Sequence, residues 1–334
     1  MKTVTWGMIG CGAVTEKKST PALYKSEHSK LKSIYATQYE KAADYAKRHN
    51  VSTVCKSADE IFQDKEIDAV YIATPPKFHK DYAIACLKAG KIPYIEKPLG
   101  LNYQECLDIL DASKKYNLPV FTAYYRRGME KYIFIKSLID SNALGKILFV
   151  RLNHFLKPEP CDLDRNKLPW RLIPEQTGGG KFIDMVTHVL DITEYFFGNL
   201  DVLGAAAQNR GGLYDVEDTV IASLKSQSGV LISGCWCYAA DFNNEEMLIA
   251  GSKGAILTSG LYYDSVKVRI DGKEEIKEFK EPEHVAMPYM QMVINEIAGG
   301  AKSPADILSA ANNVRIIDEI LKEYRRSYSN CKVS

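Results

Sequence analysis

The stretch Val4-Thr5-Trp6-Gly7-Met8-Ile9-Gly10-Cys11-Gly12-Ala13-Val14-Thr15 carries an apolar run into a glycine-rich turn. The apolar run predicts a buried strand, and the residues after the turn predict a helix. In such a turn Gly10 allows the sharp bend, and Gly12 lets a phosphate approach backbone amides that continue through Ala13 and Val14. The stretch therefore predicts a dinucleotide site, with a bare strand–helix turn as the simpler alternative.

Strands and helices alternate through the first third of the chain. Short apolar runs lie at 31–36, 69–73, 92–95 and 120–123, and helical patterns lie between them at 40–49, 79–89 and 103–116. Continuous apolar runs of this kind are typical of a parallel sheet covered by helices on both faces. We therefore predict a doubly wound α/β domain over residues 1–123.

The pattern changes after Ala123. Longer runs that alternate apolar and polar residues lie at 147–155, 202–208, 219–226, 230–238, 246–251 and 266–270, with helical patterns at 132–142, 181–197, 289–297 and 304–324. Alternation predicts a mostly antiparallel sheet with one face in water. We expect residues 124–334 to form an α+β domain.

Composition narrows the classes of function. The 334 residues carry 43 Lys+Arg and 42 Asp+Glu, a formal net charge of +1, so no basic field favours nucleic acid. No apolar run approaches the roughly 20 residues that cross a bilayer. The strand-like run at the N-terminus is not the pattern of a secretory signal. The eight cysteines are scattered singly, which is typical of a reducing compartment. We expect a cytoplasmic protein with neither a nucleic-acid nor a membrane partner.

The tip of the second predicted strand bears on the choice of cofactor. A carboxylate at this point binds the adenine ribose of NAD, and Tyr35-Ala36-Thr37-Gln38-Tyr39 contains none. Thr37 and Gln38 can donate hydrogen bonds to a ribose hydroxyl or to a 2′-phosphate, and no arginine marks a phosphate site. Glu40 and Lys41 are more typical of the start of the next helix. NAD and NADP both stay open, with a slight preference for NADP.

Two further predicted strands end in residues suited to binding a ligand at the carboxyl-end edge of the sheet. Glu96-Lys97-Pro98 follows one strand, and the Lys97 ammonium can exchange a proton with a substrate hydroxyl or carbonyl. Thr74 and Pro75, with His79 shortly after them, follow another and are expected near the cofactor. A solvated Glu96–Lys97 pair and a structural helix start at His79 are the alternatives.

A glycine run, Gly178-Gly179-Gly180, precedes the helical pattern at 181–197. Asp184 and His188 stand one helical turn apart in it among apolar neighbours, which predicts a proton-handling pair on a largely buried helix. A hydrogen-bonded core histidine or two metal ligands are the alternatives; a third ligand with suitable spacing is missing, so we predict no metal. Trp170 and Arg171, just upstream, are candidates for covering the nicotinamide or binding substrate hydroxyls.

A basic cluster follows the first predicted domain. Arg126 and Arg127, with Lys131 close behind, can in principle contact a phosphate. A solvated face or a hinge between domains is the more common role of such a cluster. We therefore assign it no part in the site.

Seven motifs occur in a fixed order: Gly10-Cys11-Gly12, Ala73-Thr74-Pro75, His79, Ala89-Gly90-Lys91, Glu96-Lys97-Pro98, Gly178-Gly179-Gly180 and Asp184-x-x-x-His188. In this order they resemble the glucose–fructose oxidoreductase and inositol dehydrogenase family (Gfo/Idh/MocA). The resemblance extends over nearly the whole chain and includes Tyr124-Tyr125-Arg126-Arg127 and the helix from Pro304. Departures are Thr15 at the third glycine position and Thr37 where many members have an acid.

The resemblance implies a Rossmann domain that binds NAD or NADP, and an open, mostly antiparallel sheet that binds substrate and forms homodimers or homotetramers. It implies reversible hydride transfer to or from the carbinol carbon of a sugar, polyol or related small molecule. Lys97 or His188 would move the hydroxyl proton, and Asp184 would orient and charge-balance them. A nucleotide-binding sensor without catalysis is the alternative; a metal-dependent lyase or hydrolase that uses Asp184 and His188 ranks last.

Overall fold

The computed structural model describes residues 1–262, 265–304 and 306–333, with the side chains of all of these except Ala13, Val14 and residues 328–333. The strands in this part of the chain are β1 Val4–Ile9, β2 Ser29–Tyr35, β3 Thr53–Val54, β4 Ala69–Ile72, β5 Ile92–Ile95, β6 Phe121–Thr122, β7 Ile147–Phe155, β8 Leu200–Gln208, β9 Thr219–Ser226, β10 Leu231–Cys237, β11 Asn244–Gly251, β12 Gly254–Thr258, β13 Val266–Ile270 and β14 Lys273–Lys277.

The helices in the same residues are α1 Ala13–Lys18, α2 Ala22–Lys25, α3 Tyr39–Arg48, α4 Ala58–Gln63, α5 His79–Lys88, α6 Tyr103–Tyr116, α7 Glu130–Asp140, α8 Pro174–Thr177, α9 Lys181–Phe197, α10 Met287–Ile297 and α11 Ile307–Val333. Short 3₁₀ turns lie at Pro76–Phe78, Tyr125–Gly128, Pro160–Asp162 and Trp170–Leu172. Among the described helices, none combines the length and the apolar character that a membrane span requires.

The chain divides into two compact units. The first comprises Met1–Met129 and Glu281–Ala311, and the second comprises Glu130–Lys280 and Asn312–Ser334. The first unit contains a parallel sheet in the order β3-β2-β1-β4-β5-β6. Chain order reverses direction on either side of β1, between β2 and β4, which confirms the doubly wound prediction.

The second unit contains a sheet in the order β14-β13-β12-β11-β7-β10-β9-β8. Its described strand pairs are antiparallel except β7 with β10. Side chains alternate along β9, where Val220, Ala222 and Leu224 are buried while Ile221 is exposed. On the buried face, Trp236 packs edge-on against Phe182 of α9 with ring centroids 5.3 Å apart. This arrangement confirms the mostly antiparallel α+β prediction.

The structural division differs from the predicted boundary after Ala123. Residues 281–311 belong to the first unit, because Tyr289, Met290 and Val293 of α10 join the buried cluster around the first sheet. The Tyr289 hydroxyl also donates a hydrogen bond to the carbonyl oxygen of Thr122 at 3.0 Å. The roles that we assigned to residues 1–123 and 124–334 stay predictions.

Candidate functional site

A cavity of about 420 Å³ lies at the carboxyl-end edge of the first sheet. It sits beside β1, β2 and β4, where the order of the strands reverses and where ligands of open α/β sheets bind. Its lining comprises Ile9, Gly10, Cys11, Gly12, Tyr35, Ala36, Thr37, Gln38, Lys41, Ala73, Thr74, Pro75, Phe78 and Tyr82. Six of the predicted cofactor residues thus surround one cavity: Gly10, Gly12, Thr37, Gln38, Thr74 and Pro75.

The two glycines of the turn differ in their surroundings. Gly10 has φ +101°, and a Cβ there would lie 2.5 Å from the carbonyl oxygen of Ala73. Gly12 begins α1 with φ −91°, and a Cβ there would meet no described atom within 4 Å. Gly10 therefore brings β1 close to the end of β4, whereas Gly12 leaves open space above its backbone. The side chains of Ala13 and Val14 lie outside the described ones.

The departure at Thr15 has a structural explanation. Its buried hydroxyl donates to the carbonyl oxygen of Gly12 at 2.7 Å and lies 2.9 Å from the Tyr45 hydroxyl, which lies 2.7 Å from Thr20 Oγ1. The threonine therefore links the glycine turn to α3 through satisfied hydrogen bonds.

Lys41 is a lining residue that the sequence reasoning missed. We placed it at the start of a helix, and it does lie in the first turn of α3, yet it also borders the cavity beyond Thr37 and Gln38. It is the charged residue of the described lining. Burial raises the pKa of the neighbouring Cys11 thiol to about 11, and the Lys41 ammonium acts in the opposite direction. The only signal in the sequence was the spacing of Lys41 from the end of β2.

Lys97 follows β5 at the same edge of the sheet. Ile72 of β4 pairs with Ile95 of β5, so Thr74 and Lys97 each lie two residues beyond a paired position. Lys97 is half-buried. The preceding Glu96 accepts a hydrogen bond from the Tyr71 hydroxyl, and burial raises the pKa of its carboxyl. The roles predicted for Glu96 and Lys97 stay predictions.

His79 is fully buried at the start of α5. Its ring nitrogens lie 2.8 Å from the carbonyl oxygen of Pro98 and 2.9 Å from that of Thr74. Burial lowers the pKa of His79 to about 4, so the neutral ring donates its one N–H to one of these oxygens. His79 thereby joins the segments that follow β4 and β5, and its predicted contact with a cofactor stays a prediction.

In the second unit, α9 has one accessible stripe near its start. Asp184, Met185 and His188 are half-buried, whereas their neighbours Ile183, Val186, Thr187 and Val189 are buried. Side chains four residues apart on a helix lie on the same face. The carboxylate and the imidazole are thus the ionisable groups that this part of the helix presents outward.

Two buried side chains of the second sheet form a further polar pair. His154 of β7 lies with Nδ1 3.4 Å from the hydroxyl of Tyr238, which follows β10. Burial lowers the pKa of His154 to about 4. Burial also raises the pKa of Tyr238, and the Asp184 carboxylate adds to that shift. Spacing in the sequence gives no sign of this pair, because residues so distant in sequence form no local pattern.

The segment before α9 carries Trp170 and Arg171. Trp170 is 46% exposed and Arg171 half-buried. Their predicted contacts with a nicotinamide or a substrate stay predictions.

An ion pair joins the two ends of the segment before α9, at Asp162 and Lys181. Lys181 donates to the buried carboxylate of Asp162, whose neighbours Glu159 and Cys161 lie close enough to share a metal ion. Among the described residues, this is the group with such geometry, and it contains neither Asp184 nor His188. The Lys181 ammonium contacts the Asp162 carboxylate and lies 3.8 Å from Oε2 of Glu159, so one positive charge faces the two carboxylates of this group.

The basic cluster after Ala123 has structural partners. Arg127 donates to the carbonyl oxygen of Pro304 at 3.0 Å and to Ser309 Oγ at 2.6 Å, and Lys131 donates to two backbone carbonyls of the second unit. Both side chains are buried. Of the two roles that we considered more common, the solvated face is therefore wrong for Arg127 and Lys131, because carbonyl and hydroxyl oxygens of the protein take the place of water; the hinge stays a prediction.

Comparisons with known proteins match both parts of the chain. Residues 4–124 match the oxidoreductase family with an NAD-binding Rossmann fold, and residues 132–257 match the GFO/IDH/MocA C-terminal domain. The chain is 34% identical over 317 residues to Oxidoreductase P35 of Formosa agariphila, which covers 94% of this chain and 97% of that protein.

Solved structures share the fold. The aldose-aldose oxidoreductase from Caulobacter crescentus, complexed with glycerol, has a TM-score of 0.86 at 20% identity over 98% of each chain. Levoglucosan dehydrogenase, in complex with NADH and levoglucosan, has a TM-score of 0.82 at 23% identity over 97% of each chain. Together with the matched domains and the full-length relative, the motif order leads to one conclusion: the chain belongs to the GFO/IDH/MocA family of NAD-binding oxidoreductases.

Proposed function

We propose that this protein transfers a hydride between NADP(H) and a carbinol or carbonyl carbon of a sugar, a polyol or a related small molecule. The observation that carries the proposal is the cavity beside β1, β2 and β4, with Lys97 following the adjacent strand β5. A nucleotide site next to a half-buried ammonium is the combination that a dehydrogenase needs.

The residues around the cavity fit a nicotinamide dinucleotide. The open space above Gly12 suits a pyrophosphate, because no Cβ fills it. Thr37 and Gln38 lie at the end of β2, where the adenine ribose of such a cofactor is bound. Thr74 Oγ1 is buried without a hydrogen-bond partner among the described residues, so it can donate to a bound ligand.

Lys41 favours NADP over NAD. A free ribose of NAD is usually held by a carboxylate, which the described lining lacks, whereas a 2′-phosphate is stabilised by a cation. The exposed Lys41 ammonium lies in the lining beyond Thr37 and Gln38. Levoglucosan dehydrogenase, a structural neighbour, holds NADH, so the preference rests on the residues of this chain.

Three side chains have the chemistry to handle the proton of the reaction. When bound, the nicotinamide ring supplies or accepts the hydride. The Lys97 Nζ donates a proton to a carbonyl oxygen or takes one from a hydroxyl, and His188 is the alternative group for that step. Asp184, one turn before His188, orients the imidazole and compensates a positive charge on it.

Sugars and polyols are the proposed substrate class. The formal net charge of +1 gives no field that selects strongly charged substrates. One relative, the 1,5-anhydro-D-fructose reductase of Ensifer adhaerens, is named for a neutral sugar derivative and is 23% identical over 75% of this chain and 74% of that protein.

A second copy of the chain is the proposed partner of the outer face of the second sheet. Phe149, Ile221 and Leu231 are between 44% and 56% exposed there, and Phe149 pairs with Leu231 across β7 and β10. Exposed apolar side chains that lie together are typical of an interface. We therefore propose a homodimer or homotetramer through this sheet.

The decisive experiment is a titration of the purified protein with NADPH and with NADH, in which tryptophan fluorescence measures binding. The preferred nucleotide is then used with a panel of polyols, sugars and small carbonyl compounds, and its absorbance reports turnover. Tight binding of NADPH and turnover of at least one panel member is the expected result. No binding of either nucleotide would refute the proposal, and binding without any turnover would favour the sensor.

A further inference from the structure

The glycine turn before α9 is held from two sides. The backbone N–H of Gly180 donates to Oε1 of Glu217 at 2.9 Å, and Nη2 of Arg325 donates to the carbonyl oxygen of Gly178 at 2.8 Å. Glu217 lies just before β9, and Arg325 lies in α11. Two elements distant in sequence therefore bind the same three-residue turn.

The turn packs closely against neighbouring side chains. A Cβ on Gly179 would lie 3.0 Å from Oε1 of Glu217 and 2.6 Å from Cδ1 of Ile183. A Cβ on Gly180 would lie 2.6 Å from Cγ2 of Val216. The backbone therefore lies directly against Glu217, and a change in the position of that side chain would be transmitted to the turn.

Glu217 is an unusual residue for so buried a position. It is 1% exposed, and burial raises the pKa of its carboxyl to about 7, while the Gly180 N–H and the Arg325 guanidinium lower it. A buried carboxyl is costly, and an apolar side chain of similar size is often more stable there. Stability alone is therefore a poor explanation of Glu217.

The C-terminal helix α11 also binds α9 on its buried side, at Thr187, which directly precedes His188. Thr187 Oγ1 donates to Oδ1 of Asn313 at 2.9 Å, and Nδ2 of Asn313 donates to the carbonyl oxygen of Thr187 at 3.0 Å. Both residues are fully buried. Asp184 thus lies between two points where α11 contacts the backbone, Gly178 and Thr187, and His188 directly follows the second.

We propose that Glu217 and Arg325 are positioning residues that hold the Gly178–Gly180 turn and so fix where α9 presents Asp184 and His188. Neither acts on the substrate. The inference rests on the proposed function for the roles of Asp184 and His188, but the holding of the turn is a separate structural claim with its own readout.

Hydrogen exchange measured by mass spectrometry tests the holding of the turn without any activity. In Arg325→Met and Glu217→Ala we expect a peptide covering residues 178–188 to exchange about 5- to 10-fold faster, because one hydrogen bond to the turn is lost. Glu217→Gln, which keeps an oxygen acceptor, should preserve most of the protection. A peptide from α6 and the variant Arg326→Met are the controls, since the exposed Arg326 contacts Glu323 instead.

The outcomes separate the two claims. Unchanged exchange at 178–188 in folded Arg325→Met and Glu217→Ala would overturn the positioning role, whatever the activity. If exchange rises, kcat with an identified substrate should fall roughly 10- to 100-fold while the Kd of NADPH stays within about twofold, because misplacement affects only the chemical step. Arg325→Lys, which keeps a hydrogen-bond donor, should recover part of the exchange protection and part of kcat. Faster exchange with unchanged kcat would refute the link to Asp184 and His188.

Discussion

The carbonyl oxygen of Ala73 lies 2.5 Å from the point where a Cβ on Gly10 would stand. Gly10 also has φ +101°, a region that side chains other than glycine rarely adopt. The neighbouring Gly12 has neither constraint. The two glycines of one motif are therefore under different structural constraints, and alanine substitution separates the roles that we propose for them.

We expect Gly10→Ala to lower the free energy of unfolding by about 1–3 kcal/mol, because the backbone strain and the clash act on the folded state. Gly12→Ala should change that free energy by less than about 0.5 kcal/mol. It should nevertheless raise the Kd of NADPH at least about tenfold, since its methyl group fills the space proposed for the pyrophosphate. Urea unfolding and a binding titration measure both; a Gly12→Ala protein with unchanged affinity would contradict the assignment.

Lys41→Glu should reverse the preference between the two nucleotides. Loss of a charge-assisted hydrogen bond to a 2′-phosphate corresponds to a roughly 10- to 100-fold rise in the Kd of NADPH, with little effect on NADH. Lys47→Glu, which changes an exposed lysine farther along α3, is the matched control. Equal losses for both nucleotides would argue against a specific contact with the phosphate.

Lys97→Met should reduce kcat/KM by about 10²–10⁴-fold, the usual contribution of a positioned general acid or base. The Kd of NADPH should change by less than about threefold, because the substitution removes the ammonium group after β5 and leaves the lining of the cavity, which does not include Lys97, unchanged. Lys88→Met, at the exposed end of α5, controls for the loss of a surface charge. Full turnover by Lys97→Met would move the proton step to His188.

Trp170 offers a test of the segment before α9. Trp6 and Trp236 are buried, whereas Trp170 is 46% exposed, so NADPH should quench mainly Trp170 if this residue covers the nicotinamide. We expect Trp170→Phe to lose most of the quenching and Trp170→Ala to raise the KM of NADPH or substrate several-fold. Arg171→Ala should raise the KM of the substrate. Unchanged KM and kcat in both alanine variants would remove these residues from the site.

Glu217→Gln should change how stability depends on pH. Folding raises the pKa of Glu217 from 4.5 to about 7, mainly through burial and to a smaller extent through the Asp218 carboxylate. The Gly180 N–H and the Arg325 guanidinium act in the opposite direction and lower it. Tyr238 is a further titratable group near this carboxyl. The folded wild type therefore holds a proton that the unfolded chain releases between these values, and its free energy of unfolding falls across that window. Glu217→Gln lacks this loss, so its stability relative to wild type should rise with pH.

Above pH 7 the free energy of unfolding of Glu217→Gln, relative to wild type, should have risen by roughly 3 kcal/mol, which is the limit set by the difference between the folded and unfolded pKa values of Glu217. Urea unfolding at pH 5 and pH 8 measures it. A stability difference that is the same at both values would mean that Glu217 does not titrate between them.

Elements with a strong apolar pattern were predictable from the sequence. The predicted bounds of α9, β7 and β9 agree with the structure, since their buried faces repeat with the helical or strand period. β14 escaped prediction, because all five residues of Lys273–Lys277 are exposed and give no alternation. The place of α10 in the first unit also escaped it, because that depends on contacts with residues far earlier in the chain.

The residues of the site were predictable where a sequence motif indicates the local backbone conformation. Gly10, Gly12, Thr74 and Pro75 follow from strand ends, which all meet at one edge of a parallel sheet. No motif in the sequence predicts the positions of Glu217 and Arg325, since a glutamate before a strand and an arginine in a terminal helix are usually exposed to solvent. At the turn their partners are backbone groups, which the sequence does not distinguish, and the neighbour of Arg325 within its own helix that the sequence could suggest is Asp318.

The return of residues 281–311 to the first unit bears on the order in which the chain acquires structure during synthesis. Domains of most proteins fold from the N-terminus onward as they leave the ribosome. Here the last part of the first core, Val293 and Ile294, is synthesised only after β14, the last strand of the second sheet. Residues 1–129 therefore keep part of their apolar surface uncovered until residues 281–311 have been synthesised.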